Sequence, residues 1–218
     1  MLKRSILTLF ATLALLAGLL FSGVPLLVLR AQLDEPTMLM FFCLWLASAM
    51  VAGLAIANFL LKKIWFFRGR GEPVSLDQLR QRLLTVNALK CPVTAQAKKR
   101  AIVFTWRYRE EQWCELFNRL GISRLYELHC YLDADTRTVL LVDRLRTVDF
   151  LICPDRIKTG RARLPLPLLT TPSKRLSAIE QYATMAEHEY IFHPREIKAP
   201  IVGTILASGW HARFSLWR

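Results

Sequence analysis

The chain has 218 residues, 53% of them hydrophobic, and a net charge of +13 from 30 Lys and Arg against 17 Asp and Glu. A positive mean hydropathy in so basic a chain excludes an even mixture of apolar and cationic residues: the two populations must occupy different parts of the molecule. Ser5 to Leu29 is 25 residues without a charge, and Met38 to Leu61 is 24 more. At about 1.5 Å per residue, each run is long enough to cross a hydrocarbon core of about 30 Å.

Residues 1–62 therefore read as a two-span transmembrane hairpin whose spans are joined by RAQLDEPT, 30–37. A cleaved signal peptide does not fit. The first run exceeds the roughly 7–15 apolar residues of such a segment, no A-x-A site follows, and a second span comes at once. Lys3 and Arg4 precede the first span, while Lys62, Lys63, Arg68 and Arg70 follow the second; the joining loop has Arg30 beside Asp34 and Glu35. This bias predicts a multi-pass protein of the cytoplasmic (inner) membrane with both termini in the cytoplasm. Small residues recur at every fourth position: Ala14, Gly18 and Ser22 in the first span, Ala49, Gly53 and Ala57 in the second. Such stripes let helix backbones approach closely, within the hairpin or between copies of a homo-oligomer. Neither span contains Asp, Glu, Lys, Arg or His, so neither suggests a proton relay or a permanent ion path.

Residues 63–73 form a basic and aromatic linker, with Trp65, Phe66 and Phe67 suited to the membrane interface and RGRGEP closing it. Removing Lys3, Arg4, Arg30, Asp34 and Glu35 from the totals leaves 27 cations and 15 anions, a net +12, from Lys62 onward, of which 23 cations and 14 anions fall on the segment beyond the linker. That segment, 74–218, has the size of one domain. SLDQLRQRLLTVN, 75–87, reads as a helix opened by a Ser75–Gln78 capping box, with Leu76, Leu79, Leu83 and Val86 on one face. Cys91-Pro92 breaks the pattern. AIVFTWRY, 101–108, alternates as a strand. EEQWCELFNRLG follows as a helix, with Trp113, Leu116, Phe117 and Leu120 at helical spacing and Gly121 as its stop. RLYELHCYLDADTRTVLLVDRLRTVDFLI reads as a hairpin turning at Asp133–Thr136, with Val148, Phe150 and Ile152 extending its second strand or making a third.

Next comes CPDRIKTGRARLPLPLLTTPSKR, 153–175, which reads as a long cationic loop; Thr159-Gly160-Arg161 could be a turn that offers amides to an anion. Thr171-Pro172 looks like a helix start, with Leu176, Ile179 and Ala183 facing inward. EYIFH, 189–193, suggests a short strand. Pro194 begins another helix, kinked or restarted at Pro200 and capped by Gly209, and WHARFSLW alternates as a last strand. Hairpins mixed with helices predict a cytosolic α+β domain with a mostly antiparallel sheet.

The motifs of the common catalytic classes are missing. There is no P-loop, no G-x-G-x-x-G and no G-x-S-x-G, so no enzyme and no cofactor is expected. His188 and His193 are five apart rather than four, so no metal site is expected there; His129 and His211 are isolated. Cys91, Cys114, Cys130 and Cys153 have gaps of 22, 15 and 22 residues and no C-x-x-C. They read as reduced, buried small residues of a cytoplasmic domain.

Cations are the enriched chemistry. AKKR, 97–100, precedes the first strand, and Arg107 and Arg109 follow it. The candidate anion-binding residues are Arg144, Arg146, Lys158, Arg161, Arg163, Lys174, Arg175 and Arg213. Arginine's planar fork suits phosphate. The functional expectation is a membrane-anchored domain that binds a phosphate-rich ligand, either a nucleotide messenger or an oligonucleotide, and signals to an oligomeric hairpin. In layout, though in no motif, this resembles membrane effectors of nucleotide-signalled bacterial defence. The alternative is a non-catalytic subunit of a secretion or transfer assembly in the cytoplasmic membrane. Its basic surface would dock on the lipid bilayer, gaining about 1 kcal/mol per surface-adjacent cation, or on an acidic partner among the membrane-complex proteins.

Overall fold

The computed structural model describes residues 2–30, 33–152, 156–163, 176–186 and 189–217. The chain divides into two compact units, Met1–Trp65 and Phe66–Arg218.

In the first unit α1 (Leu2–Ser22) and α2 (Val24–Leu29) meet at Gly23, and α3 (Glu35–Ile64) follows. The segments Lys3–Leu29 and Glu35–Ile64 are each long and apolar enough to cross a membrane, with mean hydropathy 2.3. Two tryptophans fasten α1 to α3. Trp45 Nε1 donates to Ser22 Oγ at 3.1 Å, and Trp65 Nε1 donates to Thr8 Oγ1 at 3.0 Å. Between them Leu19 sits 3.4 Å from where a Cβ on Gly53 would lie. The two small-residue stripes do not mesh with each other. Gly53 is buried, Ala57 is half-buried, and a Cβ on Gly18 would meet nothing within 4 Å. Ala14, Gly18, Ser22 and Ala49 instead line one open apolar groove of about 440 Å³.

The second unit is a seven-stranded mixed sheet with helices. Its strands are β1 (Phe66–Phe67), β2 (Val93–Lys98), β3 (Ala101–Trp106), β4 (Arg124–Asp133), β5 (Thr138–Ile152), β6 (Arg156–Arg163) and β7 (His211–Ser215). The order is β1-β7-β5-β4-β3-β2, with β6 also on β5, and every pair is antiparallel except β5–β7. β5 is the spine: β4 runs along one edge, while β7 and then β6 share the other. The β4–β5 turn forms where expected because Asp133 accepts from the Asp135 amide and the Thr136 hydroxyl.

Alternation along the strands separates two faces. Phe104, Leu128 and Asp143 are cross-strand partners on the face toward the helices, where Lys198 meets Asp143; the next row, Thr105, Glu127 and Arg144, lies on the other face. The helical face packs Leu79 and Leu83 of α4 (Leu76–Leu84), Trp113 and Phe117 of α5 (Glu111–Arg119), and Ile197, Ile201 and Ile205 of α6 (Pro194–Ala207), all buried. The Ser75–Gln78 capping box on α4 is present with both of its bonds. α4 gives way to a 3-10 turn at Thr85–Ala88, so the expected helix is shorter by its last turn.

α6 starts at Pro194 and continues through Pro200. Proline lacks the amide that would bond the carbonyl four residues back. That carbonyl belongs to Glu196, and the buried Tyr182 hydroxyl donates to it instead. The Glu196 carboxylate accepts from the amides of Ile191 and His193 at the helix start.

Several expectations are corrected. Residues 156–163 are not loop but strand β6, paired along β5. Thr159-Gly160-Arg161 is not a turn. Between the pairs Arg146↔Ala162 and Val148↔Thr159, Gly160 and Arg161 oppose the single residue Thr147, which makes a bulge. A Cβ on Gly160 would lie 2.0 Å from the Thr147 hydroxyl. Residues 189–193 are not a strand: Phe192 has φ 56°, and its ring wedges among Trp106, Trp113 and Phe117. Leu176 and Ile179 are buried as expected, but Ala183 is exposed because the segment Ile179–Thr184 is 3-10 rather than α. The Thr171-Pro172 start lies outside the described residues. Cys114 is disulfide-bonded, whereas Cys43, Cys91 and Cys130 are free thiols.

β2, which the sequence reading passed over, is an edge strand. Its exposed edge is closed at Ala95 by one side chain. Asn87 Nδ2 donates to the Ala95 carbonyl and Oδ1 accepts from the Ala95 amide, both at 2.8 Å.

Candidate functional site

The site forms where two hairpins lie side by side. β2 and β3 close as a hairpin on the Lys98↔Ala101 pair, leaving Lys99 and Arg100 as its turn. All three cations are exposed. Register places Ala101 beside Tyr131 and Val103 beside His129 of β4. β5 then adds Arg144. The result is an open cleft of about 370 Å³ lined by Lys98, Lys99, Arg100, Ala101, His129, Tyr131 and Arg144.

The Glu127 carboxylate, two residues from His129 on β4, is already committed. Glu127 accepts from Arg146 Nε at 2.9 Å through one oxygen and contacts His129 Nε2 at 3.1 Å through the other. The hydrogen bond with His129, and beyond it the charge and hydrogen bond of Arg146, hold the Glu127 carboxyl at about 2 against the opposing pull of burial. Glu127 is thus ionised at neutral pH and matched by Arg146. Lys98, Lys99, Arg100 and Arg144 form no ion pair among the described residues. His129 is buried beneath them, with its ring stacked on Tyr131 at 6.3 Å. Four cations around a phenol ring, with no carboxylate in the lining, can hold an anion with several oxygens.

The structure distributes the expected site residues unevenly. Arg144 lies in the cleft. Arg146 is tied down by Glu127 and by the Gly160 carbonyl, to which Nη1 donates at 3.1 Å, so it fastens β5 to β6. Lys158 is exposed on β6 opposite Asp149, and Arg161 and Arg163 lie further along that strand. Lys174 and Arg175 lie outside the described residues. Arg213 is exposed on β7 with its guanidinium 5.1 Å from the Phe66 ring. Arg107 is structural. It donates to the carbonyls of Val86, Asn87, Leu89 and Val93 and pairs with Glu110. His193 caps α6 by accepting from the Arg195 amide. Among the described residues, no group of three His, Cys, Asp or Glu could hold a metal ion.

AKKR and Arg144 both stand out in the sequence; that they share one cleft with His129 and Tyr131 does not. The missing signal was β2 itself: VTAQAK alternates, and a two-residue gap before AIVFTW marks a hairpin with Lys99 and Arg100 at its tip. No protein-family model, curated protein or solved structure matches the chain.

Proposed function

We propose that the Phe66–Arg218 unit is the sensing part of a membrane-anchored protein. It takes a phosphate-rich ligand, a nucleotide messenger or an oligonucleotide, in the cleft at Lys98–Arg100, and its occupancy is passed to an oligomer of the paired apolar helices. The observation that carries this reading is the convergence of Lys98, Lys99, Arg100 and Arg144 without ion pairs among the described residues, beside a Glu127 already matched by Arg146. The role proposed is binding without catalysis. The open groove along Ala14, Gly18, Ser22 and Ala49 supports helix association between copies. The Lys and Arg bias supports both termini in the cytoplasm, whereas the disulfide at Cys114 pulls toward an oxidising compartment. Protease digestion of a C-terminal epitope decides between them: cleavage in inverted but not right-side-out vesicles is the cytoplasmic outcome.

A second reading is a non-catalytic membrane-complex subunit docked on anionic lipid or on an acidic partner. It is favoured by the exposed Lys158 and Arg213 outside the cleft. Thermal shift of the full chain in neutral-lipid nanodiscs separates the two. ATP, a cyclic dinucleotide or inorganic triphosphate at a hundred times its Kd stabilises by about 2.7 kcal/mol, and K98E/R144E abolishes the shift. If phosphatidylglycerol vesicles alone bind, and each lost cation weakens them evenly, the second reading replaces the first. Toxicity on overexpression is the expected mark of an effector rather than a scaffold.

A further inference from the structure

The cleft is one end of a row of side chains that crosses the whole sheet. Lys98 pairs with Ala101, Ala101 with Tyr131, Tyr131 with Leu140, Leu140 with Arg213, and Arg213 with Phe66. Directly opposed residues share a face, and this face carries Arg144 and His129, away from the buried Asp143–Lys198 pair. From Lys98 to Arg213 the row spans four strand intervals, about 19 Å at roughly 4.8 Å each. Lys98 and Arg213 are exposed; Tyr131, Leu140 and Phe66 are half-buried. The row therefore has a cationic cleft at one end, ring and aliphatic surface in its middle, and a second cation at the other end. Arg213 is braced there, with its guanidinium over Phe66 and the His211 ring 5.3 Å from that same Phe66. The nearby carboxylates on this face are engaged: Glu127 by Arg146 and His129, Asp133 by its own turn.

We infer that the ligand of this face is a single-stranded oligonucleotide lying across the strands, with one phosphate held at Lys98–Arg100 and Arg144, the intervening sugars and bases on Tyr131 and Leu140, and a later phosphate at Arg213. The inference rests on the cleft being the phosphate site. Its particular content is length. One nucleotide fills the cleft but does not span about 19 Å, whereas a strand of about four nucleotides does. A positively charged track with ring surfaces is how sequence-tolerant single-strand binding is built.

The test is fluorescence anisotropy of the full chain in neutral-lipid nanodiscs, using labelled oligothymidylate and oligouridylate of two, four and eight nucleotides. Affinity rises between two and four. R213E weakens the four-nucleotide probe about tenfold, leaves the two-nucleotide probe unchanged, and lowers the magnitude of the log–log salt slope by about 0.7. K158E, on a strand away from the row, is the control and leaves both probes unchanged. Equal binding of two and four nucleotides with no effect of R213E overturns the inference while leaving the cleft intact. K158E weakening the probes as much as R213E also overturns it, in favour of diffuse charge attraction. If K98E/R144E, with a melting temperature equal to that of the parent, leaves even the two-nucleotide probe bound, the cleft reading itself fails.

Discussion

Replacing Lys198 with methionine removes one half of an ion pair in the interior of the sheet domain. Lys198 Nζ lies 2.6 Å from Asp143 Oδ2, and the two side chains are 6% and 4% exposed. The Tyr126 hydroxyl donates to the other carboxylate oxygen at 2.6 Å, and the Phe214 ring lies 4.1 Å from the ammonium. Burial lowers the Lys198 pKa, against the opposing pull of Asp143, so the Asp143 carboxylate works to hold the charge in this interior. Breaking such a pair costs about 3–5 kcal/mol, because the remaining charge is left in a poorly polarisable interior. For a domain of this size that is a fall of roughly 6–20 °C in melting temperature. Asp143→Asn costs a similar amount by removing the carboxylate charge that faces the buried Lys198 ammonium. The double variant K198M/D143N removes both charges and keeps an oxygen for Tyr126, so it returns to within about 1 kcal/mol of the parent. The assay is urea unfolding of the full chain in detergent, followed by tryptophan fluorescence, because Trp106, Trp113 and Trp210 are all buried in this unit. A loss below about 1 kcal/mol in both single variants, or a double variant worse than either, would refute the reasoning.

The domain loses stability in acid as Glu127 is protonated. Its folded pKa, about 2, lies below the ordinary 4.5, so its contribution is complete above 4.5, at most about 3 kcal/mol, and is lost as pH falls from 4.5 to 2. Glu127→Gln flattens a plot of melting temperature against pH over that window. Arg107→Ala costs about 3 kcal/mol by orphaning carbonyls at the end of the 3-10 turn, and Arg107→Lys recovers less than half of it because a point charge cannot reach four acceptors; urea midpoints check both. Gly203→Ala puts a methyl 1.7 Å from the Ser177 carbonyl, so it separates α6 from the segment before Ile179 and lowers the melting temperature, whereas Gly18→Ala, in open space, does not.

The parts of the fold legible in the sequence were those whose own periodicity decides them. The apolar runs, the Ser75 capping box, the Trp113–Phe117 face of α5 and the Asp133 turn each follow from neighbouring residues. β6 was not legible because RIKTGRAR offers little alternation; its pairing is decided by the neighbouring strand β5 and by the Gly160–Arg161 bulge opposite Thr147. The alternation in EYIFH is real, but a cluster of aromatic rings claims Phe192 and turns the backbone to positive φ. The candidate site was half visible. Arg144 and AKKR were both noticed, yet what joins them is the register of two successive hairpins, and register depends on turns rather than on either segment. His129, taken alone, is an ordinary structural histidine; only Glu127, two residues back on β4, and the Arg146 that Glu127 pairs with make it part of an electrostatic arrangement.

The Asn87 clamp on β2 has a consequence for how copies of this chain coexist. A strand at the margin of a sheet is an unfinished template, and a second molecule can complete it. Here a carboxamide imitates a neighbouring strand at one residue, Ala95, and so terminates the template from within. The cationic tip at Lys98–Arg100 repels a like copy further along the same margin. The molecule therefore resists fusing sheet to sheet with its copies along this margin. Asn87→Ala lifts that restraint at the only backbone amide and carbonyl the clamp covers, and converts a terminus into a seed.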